Sequence, residues 1–191
     1  MIIRSTLLFL RYILLRIKYR GRIWFRGAPA IYAFSGSEIV IKATKNNKVN
    51  IFSHPLSNMI GLPQRCIIIA KYGGKIEINE GVCMSGCTLY AMESITIGKN
   101  SDIGSGCKII DNDFHPLPYS QRVPEEQMDK VKRRAIKIGE GCFVGANSII
   151  LKGTTLGNNV VVGAGSVVSG SFPDNVIIAG NPARIIKQNE E

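Results

Sequence analysis

Acidic residues are missing from the first 37 positions of the chain, and histidine occurs only twice among its 191 residues. The net charge of +10 is therefore uneven: residues 1–26 carry seven cations, while the remainder has 17 basic and 14 acidic side chains. No alternation of aromatic and basic residues and no known nucleic-acid-binding module accompanies this basic end. The charge therefore does not indicate a nucleic-acid-binding protein.

Cysteine is also scarce, and its number is odd. Five cysteines cannot all pair, which argues against a disulfide framework and favours a reducing compartment. Cys83 and Cys87 lie four residues apart, but no second pair of cysteines or histidines completes a zinc set. Glycine-rich nucleotide-binding motifs are absent as well. We expect buried free thiols and no metal.

Long uncharged runs are missing from the basic end. Within residues 2–26 the longest one, Ser5–Leu10, is far shorter than the roughly 20 residues that span a bilayer. Arg11 and Arg16 interrupt any apolar core of a secretory signal, and no small-residue cleavage site follows. A helical wheel places four cations in one narrow arc: Arg4, Arg11, Lys18 and Arg22. The segment predicts a basic amphipathic helix that ends at Gly27–Pro29.

Two interpretations of this helix remain open. It can lie at a membrane surface, with its apolar side in the lipid and its cations near anionic head groups. It can also pack on the rest of the chain or on a neighbouring subunit. The missing acids favour the membrane surface, so we expect a cytoplasmic protein that is peripheral at the inner face of the membrane.

A period of six residues dominates the C-terminal half. From Ile138 to Val168 every sixth residue is aliphatic, and the next residue is glycine in four of five repeats. The fifth position is always small or narrow, as at Cys142 and Ser148. A helix needs a period near 3.6 and a flat strand a period near 2, so this pattern fits neither. It predicts a prism of short stacked strands with an aliphatic core. A weaker register precedes it at Ile60, Cys66 and Tyr72, and a clearer one runs from Ile78 through Met84 and Tyr90 to Ile109.

These repeats resemble those of the hexapeptide-repeat acyltransferases, and the ending Ile178–Arg184 resembles the closing segment of their sugar O-acetyltransferase branch (the maltose and galactoside acetyltransferases). The resemblance implies an all-β fold, a left-handed parallel β-helix. We expect a basic N-terminal segment over residues 1–30, a β-helix domain over 31–187 and a tail over 188–191. The repeat stops between Ile109 and Ile138, which predicts a loop extruded over residues 110–135.

His115 lies at the start of this loop and is the natural base for transfer to a hydroxyl. If residues 111–115 are extended, Asp111, Asp113 and His115 point to one side, so that a carboxylate could orient the imidazole. A loop histidine capped by a nearby acid for structural reasons is the alternative. The resemblance makes His115, which is followed by proline, the catalytic base. It leaves open whether Asp113 or a backbone carbonyl orients the ring.

The resemblance also implies the remaining site residues. The backbone N–H of Ala146 would stabilise the oxyanion. Coenzyme A would contact Ala164, Ser169, Arg184 and Lys187. A position that is often basic in relatives is Gly170 here.

The sequence thus favours an acetyl-CoA-dependent O-acetyltransferase that acts as a homotrimer on a saccharide hydroxyl, such as that of a surface-polysaccharide or lipid-linked precursor. Three alternatives are a small non-sugar acceptor (a drug or serine), a non-catalytic β-helix scaffold, and a metallo-hydratase on the same fold. The last needs three histidine ligands per zinc, whereas the chain has two histidines.

Overall fold

The computed structural model describes residue 10 and residues 12–54, 60, 64–122 and 128–190. Within these ranges the chain forms twenty short β-strands that enter three sheets in turn. Sheet A contains β1 (Ile23–Arg26), β4 (Val49–Phe52), β7 (Cys83–Ser85), β10 (Asp102–Ile103), β13 (Phe143–Val144), β16 (Val161–Val162), β19 (Val176–Gly180) and β20 (Ala183–Gln188). Sheet B contains β2 (Ala30–Ala33), β5 (Ile67–Ala70), β8 (Thr88–Ala91), β11 (Lys108–Ile110), β14 (Ile149–Leu151) and β17 (Val167–Val168). Sheet C contains β3 (Glu38–Ile41), β6 (Lys75–Ile78), β9 (Ser94–Ile97), β12 (Ile136–Ile138), β15 (Thr155–Leu156) and β18 (Ser171–Phe172).

Each strand pairs with the strands three places before and after it in the chain, and all of these pairs are parallel. The exception is β20, which reverses and pairs antiparallel with β19. Three sheets that share successive strands make a three-sided parallel β-helix of six coils. This architecture is consistent with the left-handed β-helix that the resemblance implies.

The aliphatic first positions of the six-residue repeat lie in the core, as the pattern predicts. All six from Ile138 to Val168 are at most 1% exposed. The narrow fifth positions are also buried, even where they are polar. The hydroxyl of Ser148 donates to the Gly145 carbonyl at 2.8 Å, and that of Thr154 donates to the Leu151 carbonyl at 2.7 Å. These bonds satisfy the buried hydroxyls, which removes the cost of burying them.

The register predicted before Ile97 is wrong at three residues. Ile60 and Tyr72 are 54% and 42% exposed, and Tyr90 points outward between the fully buried Leu89 and Ala91. Strand β8 therefore contributes Leu89 to the core, where it lies opposite Ile109 in the next coil. The six-residue spacing predicts Tyr90 in the core because Tyr90 lies six residues after Met84.

Two kinds of glycine shape the corners of the prism. A Cβ on Gly139, the second position of its repeat, would come within 2.2 Å of the Gly157 carbonyl oxygen in the next coil. Glycine is needed there because adjacent coils approach closely. The tight turn instead occurs at the fourth position, where Gly141, Asn147 and Asn159 have φ values of +65°, +62° and +54°. Glycine and asparagine are the residues that tolerate this conformation best.

The N-terminal segment is helical over residue 10 and residues 12–18, which we call α1. A turn then leads into β1, which pairs in parallel with β4. The helix expected up to Arg26 is therefore wrong for Ile23–Arg26, which form the first strand of the β-helix. Residues 2–9 and Arg11 lie outside the described residues. None of the helices in the described part of the chain is long and apolar enough to cross a membrane.

Candidate active site

Asp111 fixes the point at which the chain leaves the β-helix after β11. Its side chain is fully buried, and its two carboxylate oxygens accept hydrogen bonds from the backbone N–H groups of Met92 and Glu93, both at 2.8 Å. The Asn112 amide also donates to Asp111, at 2.9 Å. Asp111 therefore ties the loop to the corner of the preceding coil. The expectation that it points to the same side as Asp113 and His115 is wrong, because the chain turns after Ile110.

That turn is built by Asn112 and Phe114. The Asn112 side-chain oxygen accepts a hydrogen bond from the Phe114 N–H at 2.9 Å, and Phe114 adopts a φ of +61°. A left-handed conformation is costly for a residue with a side chain. The Phe114 ring packs on Tyr90 with a centroid separation of 4.8 Å, which offsets part of that cost.

The two ends of the long connection 111–135 are joined at its base. Asn112 and Arg133 form an antiparallel bridge, the Asp113 N–H donates to the Lys132 carbonyl at 3.0 Å, and the Arg134 N–H donates to the Asp111 carbonyl at 2.8 Å. The Arg133 guanidinium also donates to the Met92 carbonyl, at 3.2 Å. These hydrogen bonds hold the turn Asn112–His115, which carries the candidate base. We call this turn the support of His115.

His115 is exposed at this support, directly before the buried Pro116. Its backbone N–H donates to the Asp113 carbonyl at 2.7 Å. The turn thus presents His115 at the surface while the Asp113 carbonyl holds its backbone N–H. This placement is what a general base for an external hydroxyl requires.

The Asp113 carboxylate forms an ion pair with Lys152, which lies at the same corner of the next coil, after β14. The side chains of Asp113 and Lys152 are 16% and 32% exposed. The second carboxylate oxygen of Asp113, Oδ2, is buried and has no hydrogen-bond partner among the described residues. Lys152 was missed by the sequence analysis. Its one signal is that it follows Leu151, where the repeat lacks its usual glycine.

Ala146 and Ala164 occupy a different corner, between sheets A and B. They are stacked in adjacent coils, and the Gly165 N–H donates to the Ala146 carbonyl at 2.8 Å. The N–H groups of Gly145 and Asn147, on either side of Ala146, donate to carbonyls of neighbouring coils at 2.8 Å. Ala164 is exposed at this corner.

The two cationic candidates lie on β20, which covers the end of sheet A. Arg184 pairs with Ala179 and is exposed, so it lies beside the corner that holds Ala164. Lys187 pairs with Ile177, toward the other end of the strand, and is exposed too. Ser169 is exposed at the corner between sheets B and C, one coil beyond Lys152.

Six of the seven predicted site residues therefore fall at two corners of one chain, and Lys187 lies on β20 away from both. Asp113, His115 and Ser169 lie where sheet B meets sheet C, whereas Ala146, Ala164 and Arg184 lie where sheet A meets sheet B. A strand such as β14 separates the corners, and three residues of strand span roughly 10 Å. A base and an oxyanion donor must each lie within about 3 Å of the reacting group. One chain does not bring His115 and Ala146 together in this way.

The five thiols do not form a metal site. Within the described ranges no cluster of three or more histidine, cysteine or acidic side chains is placed to hold a metal ion. Four cysteines are buried and Cys83 is partly exposed, and all five are free. Burial raises the pKa of Cys107 and of Cys83 to about 11.

Comparison with known proteins agrees with this architecture. Residues 135–169 match the family described as the hexapeptide repeat of succinyl-transferase. Over 121 residues the chain is 37% identical to the putative lipopolysaccharide biosynthesis O-acetyl transferase WbbJ of Escherichia coli K12, which covers 61% of this chain and 59% of that protein. A solved maltose O-acetyltransferase of Clostridium difficile 630 has a TM-score of 0.56 at 25% identity and covers 84% of this chain and 70% of its own.

A further solved structure shows the same fold. It is a variant of AntD, an N-acyltransferase of Bacillus cereus, in complex with dTDP-4-amino-4,6-dideoxyglucose and coenzyme A. Its TM-score is 0.62 at 22% identity, and the alignment covers 93% of this chain and 90% of that one.

Residues 135–169 thus carry the hexapeptide repeat, and the chain is similar in sequence and fold to the hexapeptide-repeat acyltransferases. Its similarity to O-acetyltransferases named for a sugar and for lipopolysaccharide biosynthesis supports the sugar O-acetyltransferase branch. The chain spans a little over half of the length of the curated relative.

Proposed function

We propose that the protein is an acetyl-CoA-dependent O-acetyltransferase that acetylates a saccharide hydroxyl of a surface-polysaccharide or lipid-linked precursor. The observation that carries this proposal is the exposed His115 on a turn braced by Asp111, Asn112 and Arg133. The names of the relatives support the reaction class and the kind of acceptor. Such precursors are assembled at membranes, so the enzyme would work at the cytoplasmic face of the inner membrane.

His115 would begin the reaction by taking the proton of the acceptor hydroxyl, whose oxygen then bonds to the thioester carbonyl carbon. The Ala146 N–H would donate to the oxyanion that forms. Preorganised donors of this kind stabilise the transition state without reorganisation. As the carbon–sulfur bond breaks, the imidazolium of His115 would return its proton to the departing thiolate. The products are the acetyl ester and coenzyme A, with no covalent enzyme intermediate.

The Asp113–Lys152 pair would hold the support of His115 in place. A buried carboxylate is costly unless it is paired, and Lys152 supplies the compensating charge. The Asp113 Oδ2 atom, which has no hydrogen-bond partner among the described residues, would then accept a hydrogen bond from the His115 imidazole once the substrates are bound. That bond would fix the ring tautomer and stabilise the imidazolium.

Coenzyme A would lie along the other corner, past Ala164 and toward Arg184, with Ser169 and Lys187 as further contacts. Arg184 and Lys187 are exposed cations suited to its phosphates. Because His115 and Ala146 lie at different corners of one chain, a complete site needs the His115 corner of one subunit against the Ala146 corner of the next. A homotrimer supplies three such sites.

The outer surfaces of the sheets fit this assembly. Sheet B, which lies between the two corners, carries mainly apolar outer residues, among them Ile110, Ile149 and Leu151. Sheet C instead exposes Lys75 and Lys137 on its outer side. Burial of apolar surface favours association. We therefore expect sheet B to face a neighbouring subunit.

The test is a screen of acceptors with acetyl-CoA in which the released thiol is measured. We expect turnover with a saccharide acceptor and the loss of that turnover in His115→Ala. Tyr119→Ala is a matched control on the same connection, because Tyr119 is 73% exposed and outside the proposed site. Release of thiol at the same rate by His115→Ala would refute the assignment of the base. Turnover with serine or a drug but no saccharide would refute the acceptor class.

A further inference from the structure

Helix α1 has two apolar faces, one packed against the core and one exposed, as far as the described residues show. Tyr12, Leu15 and Tyr19 pack against the core at the first coil. The Tyr12 ring meets Phe25 of β1 edge-on, with a centroid separation of 6.0 Å. This face therefore covers the N-terminal end of the β-helix, as a capping element does.

The other apolar residues of α1 are exposed. They follow the spacing i, i+3, i+4 and i+7 that defines one side of a helix. Their exposed fractions are 52% for Leu10, 38% for Ile13, 62% for Leu14 and 66% for Ile17. We call these four residues the outer face of α1. Exposed apolar side chains in a contiguous stripe mark a contact surface more often than isolated ones do.

Cations lie beside the outer face and just after the helix. Arg16, Lys18 and Arg20 are all exposed, and Arg16 also donates to the Tyr12 hydroxyl at 3.4 Å. Arg22 donates to the Lys18 carbonyl at 3.1 Å at the end of the helix. No acidic residue precedes Glu38 in the chain, so none of these charges is neutralised by a neighbour in the segment. An apolar stripe with a basic surround fits an interface that is apolar in its interior and anionic at its surface.

We propose that the outer face of α1 is a docking surface for an anionic phospholipid bilayer, on which the β-helix stands with its N-terminal coil toward the lipid. The helix would lie in the plane of the interface, with Leu14 and Ile17 in the acyl boundary and Arg16 and Arg20 at the head groups. A second copy of the chain is a poor occupant, because it would bring the same cations against one another. This proposal is independent of the transfer chemistry.

Binding of the full-length protein to vesicles tests the proposal. We expect it to sediment with vesicles of equimolar phosphatidylglycerol and phosphatidylcholine but not with phosphatidylcholine alone. Binding should weaken in 1 M salt, where the Debye length is about 3 Å. Leu14→Ser/Ile17→Ser should lower the affinity at least about tenfold, since each side chain loses its burial in the lipid.

A matched pair of double variants tests how much the cations beside α1 contribute to vesicle binding. Arg16→Gln/Arg20→Gln should weaken binding by roughly 25-fold, because each basic residue near an anionic surface contributes about fivefold. Lys75→Gln/Lys137→Gln removes the same charge from the outer side of sheet C and should leave binding nearly unchanged. Leu14→Ser/Ile17→Ser should keep the thermal midpoint, and both this variant and Arg16→Gln/Arg20→Gln should keep the turnover of a soluble acceptor.

Three results would overturn the proposal. The first is a full-length protein that does not bind the anionic vesicles. The second is a Leu14→Ser/Ile17→Ser variant that binds them as tightly as the wild type. The third is an equal loss in the sheet C control, which would show that net charge alone attracts the protein. A change in the thermal midpoint of Leu14→Ser/Ile17→Ser would assign the outer face to a contact between subunits instead.

Discussion

Lys152, on the coil after the long connection, forms an ion pair with Asp113, two residues before the candidate base. The contact joins the support of His115 to the coil stacked on it. The pair is partly buried, so removing one member leaves the charge of the other without its partner. We therefore expect Lys152 to be a positioning residue whose loss acts through Asp113.

The first prediction separates this positioning from catalysis. His115→Ala should lower kcat by ~10²–10⁴-fold, the usual contribution of a general base. Asp113→Asn should lower kcat by less, and the double variant should be little worse than His115→Ala, because groups that act as a unit are not additive.

Lys152→Met completes that series. Without the ammonium, the Asp113 carboxylate loses the partner that holds it, so kcat should fall while KM for acetyl-CoA stays constant. Lys152→Arg should restore kcat. A purely structural role would lower Tm and leave kcat of the folded enzyme unchanged.

Asp111 provides a second prediction, on stability. Asp111→Asn replaces one acceptor oxygen with an NH₂ group that faces a backbone N–H, so the free energy of unfolding should fall by roughly 2–3 kcal/mol. The control is Asp129→Asn on the same connection, where the side chain is 74% exposed and contacts Lys130 at 3.5 Å. It should change stability by less than about 0.5 kcal/mol. Denaturant titrations at one protein concentration compare the two, and equal losses would contradict the anchoring role of Asp111.

A third prediction contrasts two glycines of one repeat. Gly141→Ala places a methyl group in open space at a φ of +65°, which should cost about 1–2 kcal/mol. Gly139→Ala forces its Cβ against the Gly157 carbonyl, so it should cost about 3 kcal/mol or more. Thermal unfolding measures both. The reverse order would mean that turn conformation, and not coil spacing, limits the repeat.

The fourth prediction concerns the sharing of sites between subunits. Light scattering should show a trimer at micromolar concentration. Ala164→Trp should block coenzyme A, because Ala164 is exposed at the proposed binding corner. Co-expression of His115→Ala with Ala164→Trp should then recover a measurable fraction of the turnover that each variant lacks alone. Mixed trimers without any recovery would place both groups of one site in the same subunit.

The fifth prediction follows from the thiols. The pKa of Cys83 and of Cys107 is raised to about 11, so both are protonated at pH 8 and should resist alkylation. As the pH rises toward that value, partly exposed Cys83 should react first and buried Cys107 only after unfolding. Mass spectrometry of timed reactions identifies the order. Early labelling of Cys107 would indicate that the core opens.

Much of the fold could be predicted because each position of the later six-residue repeats has a characteristic residue type. The inward positions from Ile138 to Val168 follow from spacing alone. The first strand was harder to predict, although Ile23 and Phe25 alternate with the exposed Trp24 and Arg26. These four residues also fit the end of the amphipathic helix predicted for residues 2–26, because four residues are too few to distinguish a period of 2 from one of 3.6.

The candidate site was predictable in part for a similar reason. His115 stands out because histidine is scarce and the repeat is interrupted beside it. The ion pair of Asp113 with Lys152 joins residues 39 positions apart in the chain, and no local spacing records it. Asp111 contacts the preceding coil and Asp113 the following one, which no local spacing records either. The left-handed Phe114 between Asp113 and His115 was also unpredictable, because aromatic residues give no sequence signal for that conformation.

Strand β20, which reverses direction after β19, covers the C-terminal edge of sheet A. A parallel coil ends in a row of free N–H and C=O groups onto which another coil of any chain could add, and long open edges of this kind promote polymerisation. Because β20 pairs with β19, it occupies the edge of sheet A to which a further parallel coil would add. Truncation before Ala183 should therefore expose the edge of β19 and promote association of chains through this end.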